Sequence, residues 1–153
     1  MIELLNKPKN MLSLLVVEDS EEDYAALVRI IRKQGFKYPI YHCIDGDDAL
    51  DFILHTGEYS DPETAPRPTL ILVDLNLPGT DGREVIKVIK RHQDLKIIPV
   101  VVFSTSSNPQ DIKICYQEGV NSYMQKPVNL TSLSIYIEDF LSYWFETAIL
   151  PDL

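Results

Sequence analysis

Four short stretches of this chain hold residue types that could act together. Glu18-Asp19 follows the apolar run LSLLVV, Asp74 follows LILV, Ser104-Thr105 follows IIPVVVF, and Lys126-Pro127 follows SYMQ. Three carboxylates drawn to one place repel. Two like charges ~4 Å apart cost roughly 4 kcal/mol at an effective dielectric of ~20. A hard divalent cation relieves that repulsion, and an all-oxygen donor set selects Mg²⁺, with Mn²⁺ as the alternative. Asp74, central in the set, is placed to be a nucleophile. A carboxylate that attacks phosphorus gives an aspartyl phosphate. The phosphoryl oxygens then need positive charge around them, which the metal and Lys126 would supply. The Ser104 hydroxyl can donate to a phosphoryl oxygen; Thr105 or Ser106 could take that role instead.

The four stretches meet only if secondary structure brings them together. Five apolar runs, at residues 12–17, 39–44, 70–75, 97–103 and 122–125, alternate with helical patterns. The first, third and fourth runs are nearly continuous in apolar residues, the pattern of strands buried on both faces of a parallel sheet. Ser20 can cap a helix with Tyr24, Leu27, Val28 and Ile31 on one face, closed by Gly35. Asp45-Gly46 reads as a turn before a helix at 47–54, and Asp81-Gly82 opens one running to about His92. Asn108-Pro109 pairs an N-cap with proline at N1, and Gly119 ends that helix. Asn129 caps the last, with Leu130, Leu133, Ile137, Phe140, Leu141 and Trp144 on one face. The alternation predicts an α/β chain with a flavodoxin-like, doubly wound, five-stranded parallel sheet, order 2-1-3-4-5, and helices on both faces. Ligands of such sheets bind beyond the carboxyl ends of the strands, at the switch point between strands 1 and 3. All four stretches fall at such ends. Residues 56–69, rich in proline and acids, read as a long surface loop.

Composition excludes other classes. The chain has 153 residues, 14 basic against 23 acidic, for a net charge of −9. That balance opposes binding to nucleic acid or to an anionic membrane surface. No apolar run reaches the ~18–20 residues of a transmembrane helix, and the apolar stretch in the first ten residues is too short for a signal peptide. Cys43 and Cys115 lie in apolar segments and read as buried thiols of a reducing cytoplasm. One domain is expected over residues 1–153, with a core at about 12–143 and a helical extension and tail at about 144–153.

The acidic pair after strand 1, DLNLPGTDG from Asp74 to Gly82, the hydroxyls after strand 4 and Lys-Pro after strand 5 together resemble the response-regulator receiver domain of two-component signalling. The resemblance covers about residues 12–143. It implies that Asp74 is phosphorylated by a sensor histidine kinase and that Glu18, Asp19 and Asp74 hold Mg²⁺, with the Asn76 backbone carbonyl as a further ligand. It also implies that Ser104 and Lys126 contact the phosphoryl group, and that Tyr123 is the switch aromatic partnering Ser104. The Lys126–Pro127 bond would be cis. Glu18 stands where Asp is commoner, and Ser104 where Thr is commoner. The segments PRPTLILVDLNLPGTDGREV and IPVVVFSTSSN and the WFET…LP tail are similar to the small response regulators that partner phytochromes.

On this reading the chain is a phosphoacceptor and not an enzyme, beyond self-phosphorylation and autodephosphorylation. An aspartate-nucleophile phosphohydrolase of haloacid dehalogenase type is the main rival, but it needs an acid two residues after the nucleophile, where Asn76 stands. A flavin carrier is opposed by four acids between Glu18 and Glu22. Asp45, Asp47, Asp81 and Asp111 read as turn or N-cap residues, and Glu21, Glu22 and Asp23 as helix-start acids. His42, His55 and His92 read as surface or loop residues, and Tyr123 taken alone reads equally well as an ordinary tyrosine. The last helix, expected to run to about Thr147, leaves Ile135, Tyr136, Tyr143, Phe145, Ile149 and Leu150 off its core face. That surplus predicts a homodimer through the C-terminal helix.

Overall fold

A β-strand sends successive side chains to opposite faces, so a run that is apolar at every position feeds two cores at once. The strands here do so. In the computed structural model, which describes residues 12–153, β1 (Leu14–Val17), β2 (Ile40–Cys43), β3 (Leu70–Val73), β4 (Val100–Ser104) and β5 (Ser122–Gln125) form one parallel sheet in the order β2-β1-β3-β4-β5. The expected order is thus observed. The first eleven residues, and with them the signal-peptide argument, lie outside the described residues.

Leu15, Val17, Ile71, Val73, Val100 and Val102 point to one face. There they meet α2 (Gly46–Leu54), α3 (Gly82–Arg91) and Cys115 of α4 (Pro109–Glu118). Leu14, Val16, Leu70, Leu72, Val101 and Phe103 point to the other, against α1 (Glu21–Lys33) and α5 (Leu130–Leu141). Every helix carries the side-chain cap its sequence suggested. Ser20, Asp45, Asp81, Asn108 and Asn129 each accept an amide of the first turn, which satisfies a donor that the helix cannot.

Besides shifts of one or two residues at element ends, three departures from expectation stand out. β4 starts at Val100 rather than 97, because Leu95 and Ile98 are buried from a turn while Ile97 is half exposed. Residues 56–69 are more than a surface loop. A 3₁₀ turn at Gly57–Tyr59 sets the Tyr59 ring 5.1 Å from Phe52, its hydroxyl donates to Asp48 at 2.8 Å, and Ala65 is fully buried. The last helix changes type at Ser142, where a π-helical turn runs to Thr147 and the Ala148 amide reaches back to the Tyr143 carbonyl.

The C-terminal apolar groups are distributed differently from expectation. Leu130 is exposed rather than on the core face, whereas Phe145 is not surplus. Its ring packs 4.8 Å from Phe36 and 6.3 Å from Tyr38, on the core that also takes Leu133 and Trp144. Ile135, Tyr136, Tyr143 and Ile149 remain exposed.

The end of the sheet away from the strand C-termini is fastened by one lysine. Lys90 Nζ donates to the carbonyls of Lys96 and Ile98 and to Asn121 Oδ1, and Asn121 Oδ1 also takes the Val100 amide at 2.9 Å. All three acceptors are uncharged, so burial prevails and pushes the ammonium down to about 8 from an ordinary 10.5. Below pH 8 both folded and unfolded chains carry the charge. Between 8 and 10.5 only the unfolded chain does, so it binds more protons and stability rises with pH. Denaturant midpoints measured from pH 7 to 10 are expected to rise for the wild type relative to Lys90→Met; parallel profiles would refute the assignment.

Candidate functional site

Glu18, Asp74 and Lys126 each lie one step beyond a strand ladder, Asp19 two steps beyond, and Ser104 at the last step of one. Glu18 follows β1, and its amide donates to the Cys43 carbonyl at 3.0 Å; Asp74 follows β3, its amide on the Val17 carbonyl at 3.0 Å. Ser104 closes β4, and Lys126 follows β5 with its amide on the Ser104 carbonyl at 2.7 Å. The parallel register therefore sets the functional side chains along one edge.

Glu18 and Asp74 are buried, 4% and 9% exposed, and Asp19 is exposed at the rim. One carboxylate oxygen from each of the three lies within 4.8 Å of the others. Three hard oxygen donors, facing one another and open on one side, match the donor chemistry of a divalent cation. Lys126 Nζ is in direct contact with Glu18 Oε1, lies 3.0 Å from Asp74 Oδ2 and 3.8 Å from Asp23 Oδ2. Burial works against the Lys126 ammonium, but the hydrogen bond it donates to Glu18 and the charge of Asp74 outweigh it, so its pKa is raised. Two acids share that one cation. The Glu18 carboxyl is accordingly raised, first by burial and further by Asp74, against the opposing pull of Lys126.

The backbone after Asp74 is turned tightly beneath it. The Asn76 amide donates to Asp74 Oδ1 at 3.3 Å. Gly82, opening α3, presses on the same strand end: a Cβ there would lie 2.2 Å from the Asp74 carbonyl oxygen and 2.7 Å from Leu75 Cα. Only glycine fits that approach.

The predicted residues are thus brought together at Glu18, Asp19, Asp74 and Lys126. Ser104 is fully buried and its Oγ accepts the Ser106 amide at 3.2 Å. Of its alternatives, Thr105 is exposed beside Phe103 and Lys126 in a cleft of about 260 Å³. Ser106 directs its hydroxyl elsewhere, to Asp111 at 2.7 Å. Tyr123 is half buried, and its hydroxyl donates to the Ser106 carbonyl at 2.8 Å. The Lys126–Pro127 bond is trans, against expectation, since no described peptide bond is cis. Trans is the intrinsic preference of an X–Pro bond by roughly 0.5–1 kcal/mol, and Lys126 reaches both carboxylates from it.

Sequence reading missed three participants. Asp111, read as a local turn or N-cap residue, bridges Ser106 and Arg83 (Nη2 at 2.7 Å), and Arg83 also pairs with Asp81. The β4–α4 loop is thereby clamped to α3. No local signal could have found this pair, because Arg83 and Asp111 lie on different helices. Asp23, assigned only to the helix start, faces Lys126. His42, read as a surface or loop residue, lies on β2 and reaches the Glu18 carbonyl at 2.7 Å. His55 and His92 cap local turns through Ala65 and through the Asp94 and Leu95 amides.

Removing Lys126 would leave Glu18 and Asp74 facing each other uncompensated. Lys126→Met is expected to lose roughly 3 kcal/mol of stability at neutral pH, as breaking a buried pair does. The Glu18 carboxyl would rise further. A raised carboxyl contributes stability below its unfolded value and loses it as pH climbs through the folded one, so the deficit narrows in acid. Urea titrations at pH 7.5 and 5 check both points; an undiminished midpoint would contradict them.

Comparison with known proteins agrees with this geometry. Residues 14–138 match the model of the response regulator receiver domain. The response regulator Rcp1 of Synechocystis sp. is 42% identical over 146 residues, 95% of each chain. The crystal structure of the Mn²⁺-bound form of Rcp1 superposes with a TM-score of 0.85 at 41% identity, covering 92% of this chain and 99% of that one. The crystal structure of the phosphorylated cyanobacterial phytochrome response regulator RcpA gives 0.86 at 38% identity over the same shares. The fold is thus matched in sequence and in three dimensions, and the chain belongs to the response regulator receiver domain family.

Proposed function

We propose that the chain accepts a phosphoryl group on Asp74 from a sensor histidine kinase and signals through protein contacts. The observation that carries this reading is the position of Asp74: it lies among three carboxylates within 4.8 Å and 3.0 Å from the Lys126 ammonium. An Asp74 carboxylate oxygen forms the new bond to phosphorus as the phosphorus–nitrogen bond of a phosphohistidine breaks, and the imidazole nitrogen leaves. Glu18, Asp19, Asp74 and the Asn76 backbone carbonyl are the proposed ligands of Mg²⁺, which when bound supplies positive charge to the phosphoryl oxygens. Lys126 supplies the second positive charge and orients Asp74. Ser104 donates its hydroxyl to a phosphoryl oxygen, and Tyr123, tied to the same loop through Ser106, reports the change to the α4–β5–α5 side. Such coupling works only as far as the phosphoryl group favours one loop state over the other.

The proposed donor is a phytochrome, supported by what RcpA is described to be. A single receiver domain, lengthened by the residues after about 143, is the proposed organisation of the chain. Its proposed self-association is a homodimer through α5 and the π-helical turn, supported by the exposed Ile135, Tyr136, Tyr143 and Ile149 on or just beyond them. Among the described residues no helix is long and apolar enough to cross a membrane.

Incubation with Mg²⁺ and a small phosphodonor is expected to add one alkali-labile phosphate. Chelation should abolish it, and Asp74→Asn should take up none. Equal labelling of Asp74→Asn would overturn the assignment. Light scattering at micromolar concentration is expected to give a dimer that Ile135→Lys combined with Tyr136→Lys converts to monomer. A monomeric wild type, phosphorylated or not, would end the dimer proposal.

A further inference from the structure

The ladder between β1 and β2 ends at the Val17–Cys43 pair. One step further, the Glu18 amide still finds the Cys43 carbonyl, but the donor to the Glu18 carbonyl is a side chain. His42 Nε2 lies 2.7 Å from that oxygen. A carbonyl oxygen only accepts, so Nε2 carries the hydrogen and the imidazole donates. The ring is held from its face as well. It stacks on Tyr24 of α1 with centroids 3.5 Å apart and planes 7° from parallel.

The bond has leverage because of where the carbonyl sits. The Glu18 carbonyl and the Asp19 amide belong to one planar peptide unit. Whatever fixes that oxygen fixes the plane joining two of the three clustered carboxylate residues. Glu18 has other anchors, in Lys126 and the Ser20 amide. Asp19 is exposed, and among the described residues no hydrogen bond or ion pair reaches its side chain, so no partner directs its carboxylate and the backbone sets where its Cα–Cβ bond starts and points.

We propose that His42 is a positioning residue for the cation site: its Nε2–H, locked by the Tyr24 stack, sets the Glu18–Asp19 peptide plane and through it the aim of the Asp19 carboxylate. The inference rests on the reading of Glu18, Asp19 and Asp74 as cation ligands. His42 touches neither the cation nor the phosphoryl group in this role, and acts through the backbone.

Two substitutions separate the donor from the stack. His42→Phe keeps an aromatic ring against Tyr24 and removes the donor. His42→Gln loses the ring but presents an amide N–H close to the Nε2 position. Mg²⁺ and, separately, Mn²⁺ would be titrated calorimetrically into the full chain of each variant, with Asp19→Asn as a control and urea midpoints recorded in parallel. His42→Phe is expected to weaken both cations about tenfold, within the range of outer-shell losses, while His42→Gln stays near the wild type. Restored affinity in the less well-packed Gln variant is a result that general destabilisation cannot produce. Wild-type affinity in His42→Phe would overturn the proposal, and so would equal weakening in both variants, which would assign the effect to the stack. If the wild-type chain bound neither cation, the reading of the acids as ligands would fall and this inference with it.

Discussion

The Lys126 ammonium lies between two carboxylates, Glu18 and Asp74, that are both nearly sealed from water. Taking such charges out of water costs several kcal/mol per ion even after relaxation, so neither acid is tolerable there without a counter-charge. A lysine with a long stem can provide it from the neighbouring edge of the sheet while keeping its charge at the boundary with solvent. The compensation is incomplete. With Asp19 at the rim, the three clustered acids exceed Lys126 by two negative charges, and Asp23 flanks the same ammonium from 3.8 Å. That excess equals the charge of one divalent cation. The acids in excess of what folding needs are therefore the ones available to bind something.

The sheet makes this arrangement repeatable without any dedicated scaffold. Parallel strands end in step, and Glu18, Asp74 and Lys126 each donate their own amide to the strand that precedes theirs in the sheet. The side chains are thus set by ladder geometry rather than by loop packing, and a site built on strands is held more firmly than one on loops. Just outside lies the β4–α4 loop, where Ser106 joins Tyr123 of β5 to Asp111 of α4, and Asp111 in turn pairs with Arg83 of α3.

Most of this was legible in the sequence, because the relevant signals are local. LILVD and LSLLVVED state both that a strand is buried on its two faces and that acids follow it, and the caps at Ser20, Asp45, Asp81, Asn108 and Asn129 declare themselves in two or three residues. Illegible features depended on pairs far apart in the chain. Nothing around His42 points to Glu18, 24 residues away. Nothing around Asp111 points to Arg83, because the partners meet only when α3 and α4 pack. The misplaced start of β4 has a different cause: Leu95 and Ile98 are as apolar as strand residues but fill the core from a turn, and composition alone does not separate the two.

Counting by threes and fours along the last helix fails at Ser142, where the i→i+5 pattern takes over. An α-helix turns ~100° per residue while advancing only ~1.5 Å. Trp144 and Phe145, adjacent in sequence, nevertheless both pack on the α1 side of the sheet. The segment Ser142–Thr147 thus behaves as an angular coupling. Deleting or adding one residue there would barely change the reach of the tail but would swing whatever follows through about a quarter of a turn. The direction in which the C-terminal residues leave the body is set by helix type, much as a key sets the phase of a shaft.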